Sequence, residues 1–396
     1  MKKVIIIGGG AAGCFAGIQL ARGGAEVTLL EAGERLLAKV AITGGGRCNL
    51  TNDFSEGLPL DRIYPRGHQL MRRALRAFSP EDTMRWFETE GVALTVQPDG
   101  CVFPRSQDAM QIVRTLERGL RLGGVRVVTG ARVLRISSGF IVSTQDTSYE
   151  ADAVLVTTGG SPKIAGLSYL SELVLKIEPP VPSLFTLRVE DAGLKALQGT
   201  LAEVEMSLAG TPFRAEGTLL LTDWGISGPA TLRLSSYAAR YLAENQYRGR
   251  LLINWLPGED PAAAVQALLS EGGQKQIGSV HPSGITSRLW AHLTARAGLR
   301  PQMRCAEVGS KGAARLAALL RSDEYALGGR VHFREEFVTC GGVSLSEISL
   351  GTLEARRYPG LHFAGEVLDI DAITGGYNLQ AAWSTASVAA SHILSL

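Results

Sequence analysis

The first 31 residues contain the feature that most constrains the fold of this chain. An apolar run from Val4 to Ile7 leads into a G-x-G-x-x-G turn at residues 8–13, and small residues follow until a second apolar run, Glu26 to Leu30, ends at Glu31. This order predicts strand, tight turn, helix and parallel strand, the βαβ unit that binds dinucleotides. Gly-rich turns alone are common, so the full strand-turn-helix-strand context makes the prediction specific.

Each glycine of this turn has its own predicted task. Gly8 permits the tight turn, Gly10 lets the backbone approach a pyrophosphate, and Gly13 allows the helix to pack closely on the strand. Helix N–H groups and the positive end of the dipole would face the phosphates. Glu31 follows Gly13 by 18 residues, near the spacing of about 20 at which a carboxylate binds ribose hydroxyls. Its charge would repel a 2′-phosphate, so NADP is a poor candidate for this pocket.

Composition excludes several classes of function. With 45% hydrophobic and 20% charged residues among 396, the chain is long enough for two or three globular domains. A formal net charge of +2 gives no reason to expect stable nucleic-acid binding. No apolar run approaches the roughly 18 residues that span a membrane, and the early glycines interrupt any signal peptide. We therefore expect a cytoplasmic protein with a small-molecule substrate and no membrane partner.

The pattern predicts an α/β protein whose nucleotide-binding domain is built from both chain ends. Helices are expected at 80–91 and, capped by Ser106, up to Leu122. Strands are predicted at residues 125–128, 132–137, 140–144 and 153–157, the second and third as a hairpin and the last running into Thr158-Gly159-Gly160. A strand at 360–364 and a helix from Asn378 complete a Rossmann-like domain comprising 1–182 and 340–396.

An insertion with two parts is predicted between these segments. Pro179 to Pro182 indicates a linker, and the alternating segments beyond it predict an antiparallel, barrel-like domain of residues 183–258 and 327–339, with a return strand at 329–339. Residues 259–326 predict a small helical domain. The turn at Ser227-Gly228-Pro229 indicates a helix start with Ser227 as N-cap and Pro at the first helical position.

Two further Gly-containing stretches point toward the same ligand. Gly365 to Asp371 follows an apolar strand, and Thr374 to Asn378 stands at the mouth of the last helix. A helix N-terminus that points at the N1/O2 edge of a flavin would stabilise the negative charge of the reduced ring by about 1 to 2 kcal/mol.

Taken together, the motifs resemble those of one bacterial flavoprotein family. They are GGGAAG, GGGRCNLTN, VFPRSQDA, TTGGSP, GISGP, TCGGVSLSE and AGEVLDIDAITGGYNLQAA, and they extend over the whole chain. The family comprises NAD(P)/FAD-dependent oxidoreductases known as aminoacetone oxidases or as BaiN-like (YhiN-like) reductases of unsaturated 3-oxo bile acids. The resemblance implies FAD and a discontinuous Rossmann-like FAD-binding domain of the glutathione-reductase type. It also implies an inserted antiparallel barrel-like domain and a small helical domain.

Motif by motif, the resemblance implies a set of FAD-binding residues. Those near the pyrophosphate and adenosine are Gly8, Gly10, Ala12, Gly13, Glu31, Ala32, Lys39 and Val133. Those lining the flavin side are Gly45, Gly46, Arg47, Cys48, Asn49 and Thr51, with Arg47 donating to phosphate or ring oxygens. Those closing over the nucleotide or contacting ribityl, pyrophosphate and ring are Thr158, Gly159, Gly365, Glu366, Asp371, Gly375, Gly376, Tyr377 and Asn378.

Candidates for catalysis are few, as expected when a cofactor performs the hard step. Tyr377 is either a proton donor or a packing residue. Many family members have Thr-His before the SGP turn where this chain has Thr222-Asp223-Trp224, so Asp223 is the second candidate. Cys48 and Cys340 flank glycine turns and are either thiolate partners of the flavin or, as we prefer, buried core residues. The five scattered cysteines and six histidines show neither a CxxC pair nor metal-ligand spacing, so we expect no metal.

Three functions remain open from the sequence. The first is reduction of an activated C=C bond with NAD(P)H, which must visit the flavin transiently because only one dinucleotide motif is present. The second is oxidation of a small amine with release of hydrogen peroxide. The third is an RNA-associated flavoprotein, suggested only by a basic cluster that otherwise forms a solvated face. The alternatives to a solvated face are binding of an anionic substrate or of the phosphates of a nicotinamide donor. That cluster comprises Arg62, Arg66, His68, Arg72, Arg73 and Arg76.

Overall fold

A computed structural model of the chain describes residues 1–137, 139–331 and 338–396. Its β-strands are β1 (Lys3–Ile7), β2 (Glu26–Leu30), β3 (Thr51–Asn52), β4 (Leu94–Val96), β5 (Cys101–Pro104), β6 (Arg126–Val128), β7 (Val133–Ser137), β8 (Ile141–Thr144), β9 (Ser148–Glu150), β10 (Ala153–Val156), β11 (Ile177–Ser183), β12 (Leu187–Val189), β13 (Leu201–Leu208), β14 (Arg214–Leu221), β15 (Gly225–Ser227), β16 (Arg248–Asn254), β17 (Asp323–Arg330), β18 (Val338–Val343) and β19 (Leu361–Phe363).

Its α-helices are α1 (Ala11–Arg22), α2 (Ala38–Gly46), α3 (Leu60–Ile63), α4 (His68–Ala77), α5 (Pro80–Thr89), α6 (Ala109–Leu122), α7 (Ala192–Lys195), α8 (Pro229–Tyr237), α9 (Ala239–Glu244), α10 (Pro261–Gly272), α11 (Ser287–Arg296), α12 (Gly309–Arg321) and α13 (Tyr377–Ser395). Among the described residues, none of these helices combines the length and the hydropathy needed to cross a bilayer.

The chain divides into two units, of which unit 1 is made of both ends, Met1–Val181 and Val338–Leu396. Its centre is a five-stranded sheet in the order β19-β10-β1-β2-β6, in which every pairing is parallel. The apolar strands β1, β10 and β19 are buried almost throughout, because helices cover a sheet of this type on both faces. α1 packs against α13 and α6, which brings the N- and C-terminal segments into one core. The predicted α/β class and its discontinuous Rossmann-like domain are confirmed.

The predicted hairpin is confirmed in β7 and β8, and β9 extends it to a three-stranded sheet. Two other local predictions in unit 1 need correction. Asp108, not Ser106, caps α6: its carboxylate accepts from the N–H of Met110, whereas the Ser106 hydroxyl donates to Gln111. The predicted linker at Pro179 to Pro182 lies within β11, which pairs only with β18 among the described strands. Prolines are tolerated there since a two-stranded sheet leaves N–H groups that need no strand partner.

Unit 2, Pro182–Phe337, is built around a closed barrel of the strands β12-β15-β14-β13-β16-β17. Burial alternates along β13, and Val204, Met206 and Leu208 point into a core that the side chains of α10 to α12 extend. The predicted barrel and helical stretch are therefore confirmed. The boundaries proposed for three separate domains stay a prediction.

Two predictions in unit 2 differ from the structure in detail. Ser227 ends β15 and Gly228 is the N-cap of α8, with Pro229 at the first helical position as predicted. The Ser227 carbonyl instead accepts from the hydroxyl of Thr231. The predicted return strand at 329–339 is described only at its ends, in β17 and β18, because residues 332–337 lie outside the described residues.

Candidate functional site

The carboxyl edge of the parallel sheet gathers the Gly-rich turns of unit 1. β1 is central, with β2 on one side and β10 on the other, and both pairings are parallel. The turns that follow β1, β2, β10 and β19 therefore lie at the same edge. Open parallel sheets bind their ligands in the crevice outside this edge.

Three glycines in the first turn differ in what surrounds them. A Cβ on Gly8 would lie 2.6 Å from the Thr157 carbonyl oxygen, and a Cβ on Gly13 would lie 2.0 Å from the carbonyl oxygen of Gly8. These two positions are therefore closed by backbone. A Cβ on Gly10 would meet nothing within 4 Å. Gly10 is the N-cap of α1, which has no side-chain cap, so space remains beside the first N–H groups of the helix. A pyrophosphate fits that space and its charge.

Glu31 is held in place at the end of β2. Its Oε2 accepts from the N–H of Gly9 at 2.7 Å, and its Oε1 accepts from the N–H of Gly33 at 2.6 Å. A carboxylate has about four acceptor positions, so two remain for the hydroxyls of a ribose. Ala32, beside it, is exposed. These contacts of Glu31 support the adenosine side of the predicted FAD site. The resemblance also assigns Val133, at the start of β7, to that side.

The G-G-G segment that ends α2 has a backbone that requires glycine. Gly44, Gly45 and Gly46 have φ angles of 58°, 68° and 83°, and Cβ atoms on the last two would meet nothing within 4 Å. Arg47 follows, exposed, with its guanidinium 4.6 Å from the ring centre of Phe103 and its Nε donating to Gly44. The loop thus presents open backbone and one cation, the arrangement expected around a flavin nucleotide.

Cys48 lies inside this loop and is completely buried. Burial raises the pKa of its thiol to about 12. A thiol with that pKa stays protonated at neutral pH, which supports its assignment as a core residue over a thiolate partner of the flavin. Cys340 is buried as well, and none of the five cysteines, all of which lie in the described residues, forms a disulfide.

The loop is joined to the first turns of α13 by polar contacts that the sequence analysis did not identify. The Asn52 amide donates to the Gly375 carbonyl at 3.1 Å, and the Trp383 indole donates to the Leu50 carbonyl at 2.9 Å. The Thr51 hydroxyl donates to Gln380 at 2.5 Å. The position of Asn52 in the GGGRCNLTN block could have indicated its role, whereas Gln380 and Trp383 carried no signal in the linear sequence.

Gly376 shows how close these two segments lie. A Cβ on Gly376 would be 2.3 Å from the Thr51 carbonyl oxygen. The side-chain amide of Asn49 lies between the Thr51 carbonyl and the Gly376 N–H. The structure thus brings together the predicted flavin-side residues from residues 45–51 and from residues 375–378.

The acidic residues predicted near FAD all have protein partners. Glu366 accepts from the N–H of Thr339 at 2.7 Å and lies 3.5 Å from Lys39. Asp371 is buried and forms a two-point ion pair with Arg66, whose Nε donates at 2.6 Å. Their contacts with FAD stay a prediction.

Two polar side chains shape the neighbouring turns. The amide of Asn378 bonds to both the N–H and the carbonyl of Ala372, at 2.9 and 3.1 Å, and so holds the last Gly-rich stretch. The Thr158 hydroxyl lies 2.8 Å from the Tyr169 hydroxyl, and Gly159 follows with a φ of 74°. A Cβ on Gly365 would be 3.1 Å from that of Ala12, so the turns after β19 and β1 meet.

The two catalytic candidates differ in environment. The Tyr377 ring is buried, with the rings of Phe54 and Tyr64 packed edge-on at centroid distances of 5.0 and 6.4 Å. The Tyr64 hydroxyl donates to the Tyr377 carbonyl at 2.9 Å, and burial raises the pKa of Tyr64 well above its usual value. Asp223 is exposed and belongs to unit 2. Both roles stay predictions.

The model of the family described as HI0933-like protein Rossmann domain matches residues 2–392. The 3-dehydro-bile acid delta(4,6)-reductase of Clostridium scindens is 29% identical over 413 aligned positions, which cover 98% of each protein. The ribosomal RNA dihydrouridine synthase of Haemophilus influenzae is 29% identical over 398 positions, covering 96% of each. The match thus includes both units and both Gly-rich ends of the chain.

Solved structures share the fold. The 3-ketosteroid delta1-dehydrogenase from Sterolibacterium denitrificans superimposes with a TM-score of 0.54, 10% identity and full coverage of both chains. The 3-ketosteroid-delta4-(5alpha)-dehydrogenase from Rhodococcus jostii gives a TM-score of 0.52 at 14% identity, covering 99% of this chain and 97% of that one. At these identities the likeness concerns the fold alone.

Proposed function

Because the chain belongs to the HI0933-like family of FAD-dependent oxidoreductases, we propose that it reduces a C=C bond conjugated to a carbonyl group, with NAD(P)H as electron donor. FAD, when bound, supplies the two-electron hydride carrier that no amino-acid side chain provides. The residues of unit 1 fit it: an open helix N-terminus at Gly10, an oriented carboxylate at Glu31 and a left-handed glycine run at 44–46.

The observation that carries the proposal is the chemistry shared by two relatives with different names. A delta(4,6)-reductase of a 3-dehydro bile acid and a dihydrouridine synthase both saturate a ring C=C bond conjugated to a carbonyl. Such a carbonyl makes the β-carbon electrophilic, so hydride adds there and a proton adds to the α-carbon. Both relatives match this chain over nearly its full length, which supports the same reaction class here.

The proposed reaction balances with NAD(P)H and one proton. The donor loses a hydride and becomes NAD(P)⁺, and the substrate gains two hydrogens across its double bond. Since the sequence contains one dinucleotide motif, the nicotinamide must bind transiently rather than in a second Rossmann domain. The proton at the α-carbon needs a donor, for which Tyr377 and Asp223 are our candidates, together with water.

Anaerobic stopped-flow absorbance tests the proposal. The purified holoprotein is mixed with NADH or NADPH, and the reduced protein is then mixed with a 3-oxo-4-ene steroid, uridine or a uridine-containing RNA. We expect rapid loss of the flavin band with one nicotinamide and its return with an unsaturated carbonyl substrate, whose product is heavier by two hydrogens. Reduction by aminoacetone but by neither nicotinamide, with hydrogen peroxide formed in air, would instead establish the amine oxidase alternative.

A second candidate, an RNA substrate, is favoured by one structural feature besides the name of a relative. Arg62, Arg72, Arg73 and Arg76 are exposed on α3 and α4. Arg66, by contrast, forms an ion pair with Asp371 and does not belong to this basic face. RNA binding stands against our expectation of no stable nucleic-acid binding, and the two are separated by salt dependence.

The basic face can be tested with a matched pair of variants. Arg72→Ala with Arg73→Ala removes two charges from the face, and Arg121→Ala with Arg300→Ala removes two exposed charges elsewhere. If the substrate is RNA, the first pair should weaken binding and reduce the slope of log K against log salt by about 1.4 to 1.8, while the control pair should not. Equal and salt-insensitive binding by both pairs would end this candidate.

A further inference from the structure

Three side chains with metal-ligand chemistry meet at the C-terminal end of α13. They are Glu354, His362 and His392, and their nearest ligand atoms all lie within 4.8 Å of one another. His392 follows Tyr377 by 15 residues in one helix, which places it about 22 Å along the helix from the predicted flavin turn at 1.5 Å per residue. The cluster is therefore separate from the proposed FAD site.

The three residues reach this place from different elements. Glu354 and His362 face each other across an isolated antiparallel bridge, and His362 belongs to β19 of the central sheet. Directly opposed residues in such a bridge project to the same side. His392 comes from the last turns of α13, and its Nδ1 lies 2.9 Å from Nε2 of His362.

The backbone around Gly360 fixes two of the ligands. Nδ1 of His362 lies 3.3 Å from the Gly360 carbonyl oxygen. A carbonyl only accepts, so Nδ1 carries the proton and the lone pair of Nε2 faces His392. The N–H of Gly360 also donates to Oε1 of Glu354 at 2.7 Å, which leaves the second carboxylate oxygen for a ligand. A backbone carbonyl on the far ring nitrogen and a hydrogen-bonded carboxylate are the usual supports of metal ligands.

A surface cavity reaches His392, the outermost residue of the cluster. A cavity of about 320 Å³ is lined by His392 with Ser391, Ser395, Ser387 and Thr352, whose hydroxyls can bind water. His392 is half-buried at the cavity wall, whereas His362 is completely buried.

We propose that Glu354, His362 and His392 form a site for a divalent transition-metal cation of the Zn²⁺ class, with water from the cavity as a further ligand. Two imidazoles and one carboxylate are a donor set that Zn²⁺ prefers over Ca²⁺ or Mg²⁺. On binding, the ion takes the place of the hydrogen that lies between the two rings. The Nδ1 proton of His392 passes to Nε2 of the same ring, which leaves the Nδ1 lone pair to bind the ion.

The geometry requires only a small adjustment. Two Zn–N bonds of about 2.05 Å across a 2.9 Å separation enclose an angle of about 90°. A tetrahedral N–Zn–N angle needs a separation of about 3.35 Å between the two nitrogens, so one ring must move away by roughly 0.4 Å. His392 is the ring able to do so, since it is half-buried near the helix end. Lys2, whose ammonium donates to Ile393 at 2.7 Å, is a nearby positive charge that Glu354 must offset.

The test uses untagged holoprotein treated with EDTA, dialysed and titrated with ZnSO₄. We expect one zinc per chain by elemental analysis and a rise in thermal midpoint with zinc concentration. His392→Ala and Glu354→Gln should each bind zinc at least tenfold more weakly. His281→Ala is the matched control, because His281 is exposed in unit 2, and should bind like the wild type.

The readout does not depend on the oxidoreductase activity. Retained flavin absorbance and an unchanged midpoint without metal show that each variant is folded. His392 is replaced rather than His362, because replacing the fully buried His362 could unfold the protein. Zinc binding by the wild type that is no tighter than by His392→Ala, or no stoichiometric binding at all, would overturn the proposal whatever reaction the flavin performs.

Discussion

Adding one methyl group at two neighbouring glycines should separate cofactor binding from folding. In Gly10→Ala the new Cβ meets no protein atom within 4 Å, and the φ and ψ of −83° and −164° are accessible to alanine. In Gly13→Ala the new Cβ lies 2.0 Å from the Gly8 carbonyl oxygen. We expect the first variant to fold but bind FAD weakly, and the second to lose stability whether or not FAD is present.

The magnitudes follow from these contacts. At Gly10, the poorer capping by alanine and the reduced freedom of the unfolded chain oppose each other, so the free energy of unfolding of the apoprotein should change by less than about 1 kcal/mol. Losing one backbone contact to a charged phosphate costs about 1.5 to 3 kcal/mol, a 10- to 150-fold weaker Kd. At Gly13, a gain in helix propensity of about 1 kcal/mol is outweighed by overpacking against backbone, giving a net loss of about 2 kcal/mol or more.

Apoprotein titrated with FAD, followed by flavin fluorescence, gives Kd, and urea unfolding of the apoprotein gives stability. Gly351→Ala is the control, because its Cβ also meets nothing within 4 Å, and it should change neither quantity appreciably. Wild-type FAD affinity in Gly10→Ala would refute the assignment of the open space before α1 to the pyrophosphate. Wild-type stability in Gly13→Ala would refute the packing argument.

Three further predictions concern unit 1. Arg66→Ala leaves the Asp371 carboxylate buried without its cation, so the free energy of unfolding measured with urea should fall by about 3 to 5 kcal/mol. The exposed control Arg72→Ala should lower it by less than about 0.5 kcal/mol. Equal losses in the two variants would contradict this prediction. Burial keeps the pKa of the Cys48 thiol at about 12 in the folded protein, against 9.0 in the unfolded chain. Above pH 9 the unfolded thiol ionises and the folded one does not, so Cys48 should lower the free energy of unfolding by about 1.4 kcal/mol per pH unit there. Urea unfolding of Cys48→Ala over the same pH range should lack this slope. If the Tyr377 hydroxyl donates the proton to the substrate, Tyr377→Phe should slow reoxidation of the reduced flavin by the substrate and leave reduction by NAD(P)H unchanged, both measured by stopped flow. Unchanged rates of both steps would assign the ring to packing.

The elements with strong local patterns could be predicted from the sequence. β1 follows from an unbroken apolar run, the turn after it from its glycines, and the strand character of β13 from strict alternation over several residues. β9 is only three residues long and its strand character depends on pairing with β8. Local rules also misplaced the cap of α6, because Ser106 and Asp108 have similar capping propensity and tertiary geometry chose the second.

The site was only partly predictable for a related reason. Motifs indicated which glycines approach a nucleotide, since backbone geometry leaves a residue-level trace. The contacts of Asn52 with Gly375 and of Trp383 with Leu50 join positions more than 300 residues apart, and no pattern within either segment encodes them. Likewise, His362 and His392 are 30 residues apart, so the expectation of no metal site, which considered linear spacing alone, could not include their meeting.

The union of the two chain ends in unit 1 has a consequence for biosynthesis. β10 lies between β1 and β19, and β19 together with α13 is translated last. A nascent chain that has left the ribosome up to residue 181 must therefore wait for residues 338–396 before its sheet and core are complete. At about 5 to 20 residues per second this delay is roughly 10 to 40 seconds. During that interval β10 lacks its partner β19, and an unpaired strand edge of this kind is a template for aggregation.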